Sequence, residues 1–199
     1  MKKLSKACGK IDVLLKVLFW LIIVAVVMEV ISLGALALLP TSVEEMNGWS
    51  LKLGNISLSL AADVEANADL LRVEAWATTA NLIVAAAVVC YGITILRNIL
   101  SCMISEKPFD SSVSTNIKKM GELIVISSVL INGVIALGDI ALYKLGNLTE
   151  VLNSEAIANV GIDVKLIDAK MLFLGTLVIL LSYVFRYGHE LQQQADETL

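Results

Sequence analysis

Four long apolar runs constrain what this chain can fold into more than any other feature of it. The hydrocarbon core of a bilayer is about 30 Å thick, and a helix needs roughly 20 mostly apolar residues to cross it. The first run, Val17 to Leu39, carries one charge, Glu29, and stops at Pro40, which cannot continue a helix. The others extend from about Ala75 to Leu96, Met120 to Tyr143 and Met171 to Tyr187. Only the fourth is short. Asp168 and Lys170 flank it with side chains able to reach the interface, so its helix is expected to begin in water near Asp163. Hydrophobic residues make up 57% of the chain and charged ones 17%. A soluble domain has about 45–50% and about 25%, which argues against a water-soluble globule. The expected fold is all-α: a single four-helix integral membrane bundle over residues 1–199.

Orientation follows from the cations, because cytoplasmic flanks carry the excess of Lys and Arg. Lys2, Lys3, Lys6, Lys10 and Lys16 precede the first run, Arg97, Lys107, Lys118 and Lys119 lie between the second and third, and Arg186 closes the fourth, which places ten of the fifteen on one side. The opposite side collects acids, among them Glu44, Glu45, Asp63, Glu65, Asp69, Glu74, Glu150, Glu155 and Asp163. Both termini are therefore expected in the cytoplasm, and a plasma-membrane location follows. The first run far exceeds the apolar core of a cleavable signal, about 7–15 residues, so it is expected to remain as an anchor. The net charge of −4 offers no surface for neutralising phosphates of nucleic acid, and no direct nucleic-acid binding is expected.

Outside the runs the pattern changes. Trp49 to Leu53 and Ile56 to Leu60 alternate apolar and polar residues around Gly54-Asn55, which reads as a β-hairpin with Gly at the first position of a type II′ turn. A hairpin is marginal alone in water, so it is expected to cap the outer end of the bundle between helices 1 and 2, within the outer loop 41–71. Two roles fit it: a shield for the helix ends, or a receptor surface for a ligand or peptide. In the second outer loop, 144–166, Leu148, Val151, Leu152 and Ile157 have helical spacing and suggest a short amphipathic helix. On the inner side Pro108 disfavours helix at Lys107, while Asp110 or Ser111 can accept backbone N–H bonds and restart it. Cys8, Cys90 and Cys102 lack metal-ligand spacing, and neither a metal, a cofactor nor a disulfide is expected.

Ionisable groups at bilayer depth cost roughly 2.5–3.5 kcal/mol on insertion scales and are candidates for function. Glu29 is the foremost. Ser128, Asn132 and Asp139 share one face of the third helix, Thr78 and Asn81 lie on the second, and Asp168, Gly175 and Ser182 share a face of the fourth. The expected arrangement is an intramembrane polar cluster of Glu29, Asn81 and Asn132, with Asp139 nearer the outer surface. With no Lys or Arg at its depth, Glu29 is expected to be neutral and to donate to an amide oxygen. The same residues could equally be helix-to-helix glue, worth about 0.6 kcal/mol per bond in membranes. They could also form a sensing pocket, or couple protons or ions.

Taken together, four spans, a large first outer loop, the inner Lys107-Pro108-Phe109 and the tail Tyr187-Gly188-His189-Glu190-Leu191-Gln192 ending Asp196-Glu197-Thr198-Leu199 resemble a bacterial membrane family catalogued as domain of unknown function 2975. The resemblance covers nearly the whole chain. Members are often encoded beside a small helix-turn-helix regulator, so it implies, by association, a membrane protein that restrains a transcription factor. Lys107, Phe109, Glu190, Asp196 and Glu197 are the candidate contacts for such a partner, because they are charged or apolar groups on the expected cytoplasmic face. The functional expectation is thus a non-enzymatic signalling component, partnered by the lipid bilayer and a cytoplasmic regulator. The alternative is a small transporter or immunity-type protein using the cluster around Glu29. An enzyme is not expected, since no nucleophile and base or paired carboxylates recommend themselves at one depth.

Overall fold

The computed structural model describes residues 2–38, 50–53, 56–59, 68–105, 110–145 and 167–197. They form helix α1 (Lys2–Leu38), strands β1 (Ser50–Leu53) and β2 (Ile56–Ser59), and helices α2 (Ala68–Ile104), α3 (Ser111–Leu145) and α4 (Ala169–Glu197). Each helix outruns its apolar run because the flanking segments hold no proline inside the helix and are rich in good helix formers such as Lys, Leu and Ala. The 37 residues of α1 make a rod of about 55 Å. Ala7–Gly34, Arg72–Ile104, Ser111–Leu142 and Ala169–Ala195 are long and apolar enough to cross a membrane. On α1, Leu14, Trp20 and Met28 are more than 60% exposed, an arrangement that is costly in water and favourable in hydrocarbon.

β1 and β2 pair antiparallel, with Leu51 opposite Leu58 and Leu53 opposite Ile56. Residues 54–55, where the turn is expected, lie outside the described residues, as do Lys107, Pro108 and Phe109 and the stretch 146–166 with its expected amphipathic helix.

Two compact units can be distinguished. The first comprises Met1–Ala25, Ala85–Leu130 and Ile167–Leu199. Its α2–α3 corner is closed by Asp110, whose Oδ1 accepts the Ser112 N–H at 2.8 Å as a helix cap. Nearby, Cys102 Sγ lies 3.2 Å from Ser112 Oγ, and Val113 is fully buried. Asp168 does the same for α4, accepting the Lys170 N–H at 2.9 Å, and its own N–H donates to Ser128 Oγ at 3.4 Å. This corrects the expected start near Asp163: residues 167–168 are not helical, and α4 begins at Ala169. The capping carboxylate explains the boundary, since it satisfies an N–H that has no partner within the helix.

Where α3 meets α4 the backbones approach closely through glycines. A Cβ added at Gly121 would fall 2.8 Å from the Gly175 carbonyl oxygen, and one at Gly175 would fall 2.9 Å from that of Gly121. Ser114, Gly121 and Ser128 recur every seven residues on α3, and Gly175 and Ser182 keep the same interval on α4; all five are buried. Small residues of this kind allow the close van der Waals contact that drives helix association in lipid. The Ser114 and Ser182 hydroxyls donate to carbonyls of their own helices, Ser111 at 2.9 Å and Ile179 at 2.6 Å, so burial leaves neither proton unsatisfied.

The second unit comprises Val26–Val84 and Ile131–Leu166. Within it α2 and α3 approach at Gly138, where an added Cβ would lie 3.0 Å from the Ala77 Cβ. Leu33, Ala136 and Leu142 are buried there.

Candidate functional site

The most developed polar site among the described residues lies in the first unit, where α1 and α2 are joined by charge. Asp12 Oδ1 accepts from Arg97 Nε at 2.8 Å, and its Oδ2 lies 2.9 Å from Lys16 Nζ one turn along α1. One carboxylate thus serves two cations, leaving a single net positive charge. The three side chains are partly exposed, at 22% for Asp12, 38% for Arg97 and 52% for Lys16, so solvent screening limits the strength of the pairing.

A cavity of about 420 Å³ opens beside this network, lined by Asp12, by Thr94, Arg97, Asn98, Ser101 and Ile104 of α2, and by Ser105 just past its end. Steps of three and four residues put the five on α2 on one helical face. They stay on that face because α2 runs without interruption to Ile104. Thr94 and Ser105 give their hydroxyl protons to carbonyls four residues back, Cys90 and Ser101, each at 2.9 Å. Among the described residues, Arg97 bonds only through Nε, and the Asn98 amide and Ser101 hydroxyl make no side-chain hydrogen bond. The cavity therefore presents donors in excess: two guanidinium amino groups, an amide and a hydroxyl. Such a lining suits a ligand rich in acceptors.

The positions singled out from sequence lie mainly in the second unit. Glu29 is half-buried, and its main-chain carbonyl accepts from Ser32 Oγ at 2.8 Å. Asn81 Oδ1 is buried without a hydrogen-bond partner, so the donation from Glu29 to that amide oxygen is not made. Asn132 and Asp139 are half-buried, and among the described residues no hydrogen bond or ion pair joins any of Glu29, Asn81, Asn132 and Asp139. On α2 the buried hydroxyl is Thr79, whose Oγ1 also lacks a partner, whereas Thr78 is exposed. Ser128 is buried in the first unit, where it accepts from Asp168. Of the candidate partner contacts, Glu190 and Glu197 are exposed on α4, Asp196 belongs to the same helix, and Lys107 and Phe109 lie outside the described residues.

Asp12 is a site residue that the sequence reading above does not contain. A signal was available: it is the only acid among the first sixteen residues, four places before Lys16, in a segment otherwise carrying five lysines. From sequence Arg97 is a topology marker only, because its position at the end of an apolar run explains it without a partner.

No protein-family model matches the chain, and no curated protein or solved structure gives a significant match.

Proposed function

We propose that this chain is a non-enzymatic component of bacterial membrane signalling that binds a small cytoplasmic helix-turn-helix regulator and restrains it from DNA. The observation that supports the reading best is the continuity of α4. The helix runs without a break from the apolar stretch through Glu197, so about 15 Å of it lies beyond Tyr187. That extension, Gly188 to Glu197, carries Glu190, Asp196 and Glu197 and no Lys or Arg, and Glu190, Gln192, Gln193 and Glu197 are exposed. An acidic helical arm is complementary to a basic DNA-binding surface and competes with phosphate for it. The bias of Lys and Arg toward the segments before the first apolar run, between the second and third and at the end of the fourth supports a plasma-membrane chain with both ends, and hence this arm, in the cytoplasm. In this reading the paired strands β1 and β2 cap the outer end, and Lys107 and Phe109 contribute to the partner surface.

The test is co-purification of the regulator from membranes with the full chain and with a chain ending at Arg186. The full chain is expected to retain it, and the shortened chain to lose at least about tenfold of the bound regulator while keeping its membrane yield. Equal retention by both would contradict the proposal.

A further inference from the structure

We propose that the cleft between α1 and α2 is a specific site for an anionic phospholipid, with its phosphate on Arg97, Asn98 and Ser101 and an acyl chain along α1. Three features combine to define the occupant. The first is the surplus of donors. Arg97, Asn98 and Ser101 offer N–H and O–H groups without protein acceptors among the described residues, and a phosphate oxygen takes such bonds in the fork geometry that a guanidinium presents. The second is charge: Arg97 and Lys16 outweigh Asp12 by one, so an anion is favoured. The third is an apolar groove of about 310 Å³ on α1, lined by Val13, Lys16, Val17, Trp20, Leu21 and Val24.

The two cavities share a border. Lys16 lines the apolar groove and pairs with Asp12, which lines the polar cleft, so one ion pair separates the donor-lined cleft from the apolar strip. Val13, Val17, Trp20 and Val24 recur at helical intervals away from that pair, along the direction in which the first apolar run extends. A free phosphate would use the cleft and leave the groove empty. A lipid uses both, and Arg97 follows the last residues of the second apolar run, where headgroups meet hydrocarbon.

The experiment measures lipid binding to the full-length protein by native mass spectrometry and by thermal shift, using phosphatidylglycerol, phosphatidylcholine and millimolar inorganic phosphate as separate probes. Phosphatidylglycerol is expected to bind at least about tenfold more tightly than phosphatidylcholine. N98A/S101A, which leaves the Asp12–Arg97 pair in place, is expected to lose at least about tenfold, the least that one of its two hydrogen bonds to a charged group is worth. Asp12→Asn removes the competing anion while keeping the acceptor oxygen, and is expected to tighten binding several-fold, a change that a folding defect cannot produce. Trp20→Ala is expected to weaken lipid binding. Any of four results would overturn the proposal: equal binding of the two lipids, unchanged binding by N98A/S101A, weakened binding by D12N, or stabilisation by inorganic phosphate equal to that by lipid. The assay uses this chain alone, so its outcome is independent of the regulator.

Discussion

Gly121→Ala is expected to lower stability by about 1–3 kcal/mol, and Gly121→Leu to abolish the folded protein. The reason is the identity of the atoms a new Cβ meets. It would lie 2.6 Å from Ile179 Cγ1, which a rotamer change can move, but also 2.8 Å from the Gly175 carbonyl oxygen and 2.9 Å from the Ile179 amide nitrogen, which belong to a helix backbone. Relief requires α3 and α4 to separate, and separation forfeits the close contact along the whole small-residue seam. Gly175→Ala meets Val125 Cγ2 at 2.6 Å and the Gly121 carbonyl oxygen at 2.9 Å, so it should behave alike. The two substitutions act on one crossing, and the double variant is expected to lose less than the sum. Gly133→Ala is the control, because nothing lies within 4 Å of its added Cβ. Thermal unfolding in detergent separates the cases. An unchanged melting temperature for Gly121→Ala would mean that the seam does not hold the helices together.

The second large effect is expected from reversing charge at the α1–α2 junction. Asp12→Arg replaces the shared carboxylate by a third cation within reach of Arg97 and Lys16, which now stand 2.8 Å and 2.9 Å from its oxygens. Attraction becomes repulsion. The pair is partly exposed, so solvent screening keeps the loss below that for breaking a fully buried pair. Arg97→Asp should show a comparable loss by placing two acids together. The exchange D12R/R97D restores the opposite-charge contact and should recover part of the stability, with recovery incomplete because Lys16 then faces an arginine. A double-mutant cycle in detergent reads the coupling. Additive losses, with no recovery in the exchange, would show that Asp12 and Arg97 do not act as a pair.

Much of the helical architecture was legible because bilayer-length apolar runs have few alternatives. The stop before Pro108 and the restart at Asp110–Ser111 were readable too, since a proline and a capping carboxylate act locally; the cap itself is the bond from Ser112 N–H to Asp110. The face of the fourth helix carrying Asp168, Gly175 and Ser182 follows from helical period alone, but its partner does not. That Gly121 meets Gly175 depends on how far one helix slides along the other, a quantity that hydropathy leaves open. The same limit accounts for the polar residues. Sequence gives depth along a helix and the face, so Glu29, Asn81 and Asn132 could be proposed as neighbours, yet no hydrogen bond joins them among the described residues, and Asn81 Oδ1 is left without a donor. Asp12 is hard to read from sequence for the opposite reason. It sits in a basic flank whose lysines already had a purpose in setting topology, and the pairing with Arg97 spans 85 residues of chain.

The signalling reading requires a chain that crosses the membrane four times and returns both ends to the cytoplasm. Epitope tags at the two termini and within residues 41–49, probed by protease in right-side-out and inverted vesicles, test this directly. Both terminal tags are expected to be cleaved only in inverted vesicles and the internal tag only in right-side-out ones. Cleavage of either terminal tag from the outside, or recovery of the protein in the soluble fraction without detergent, would contradict it.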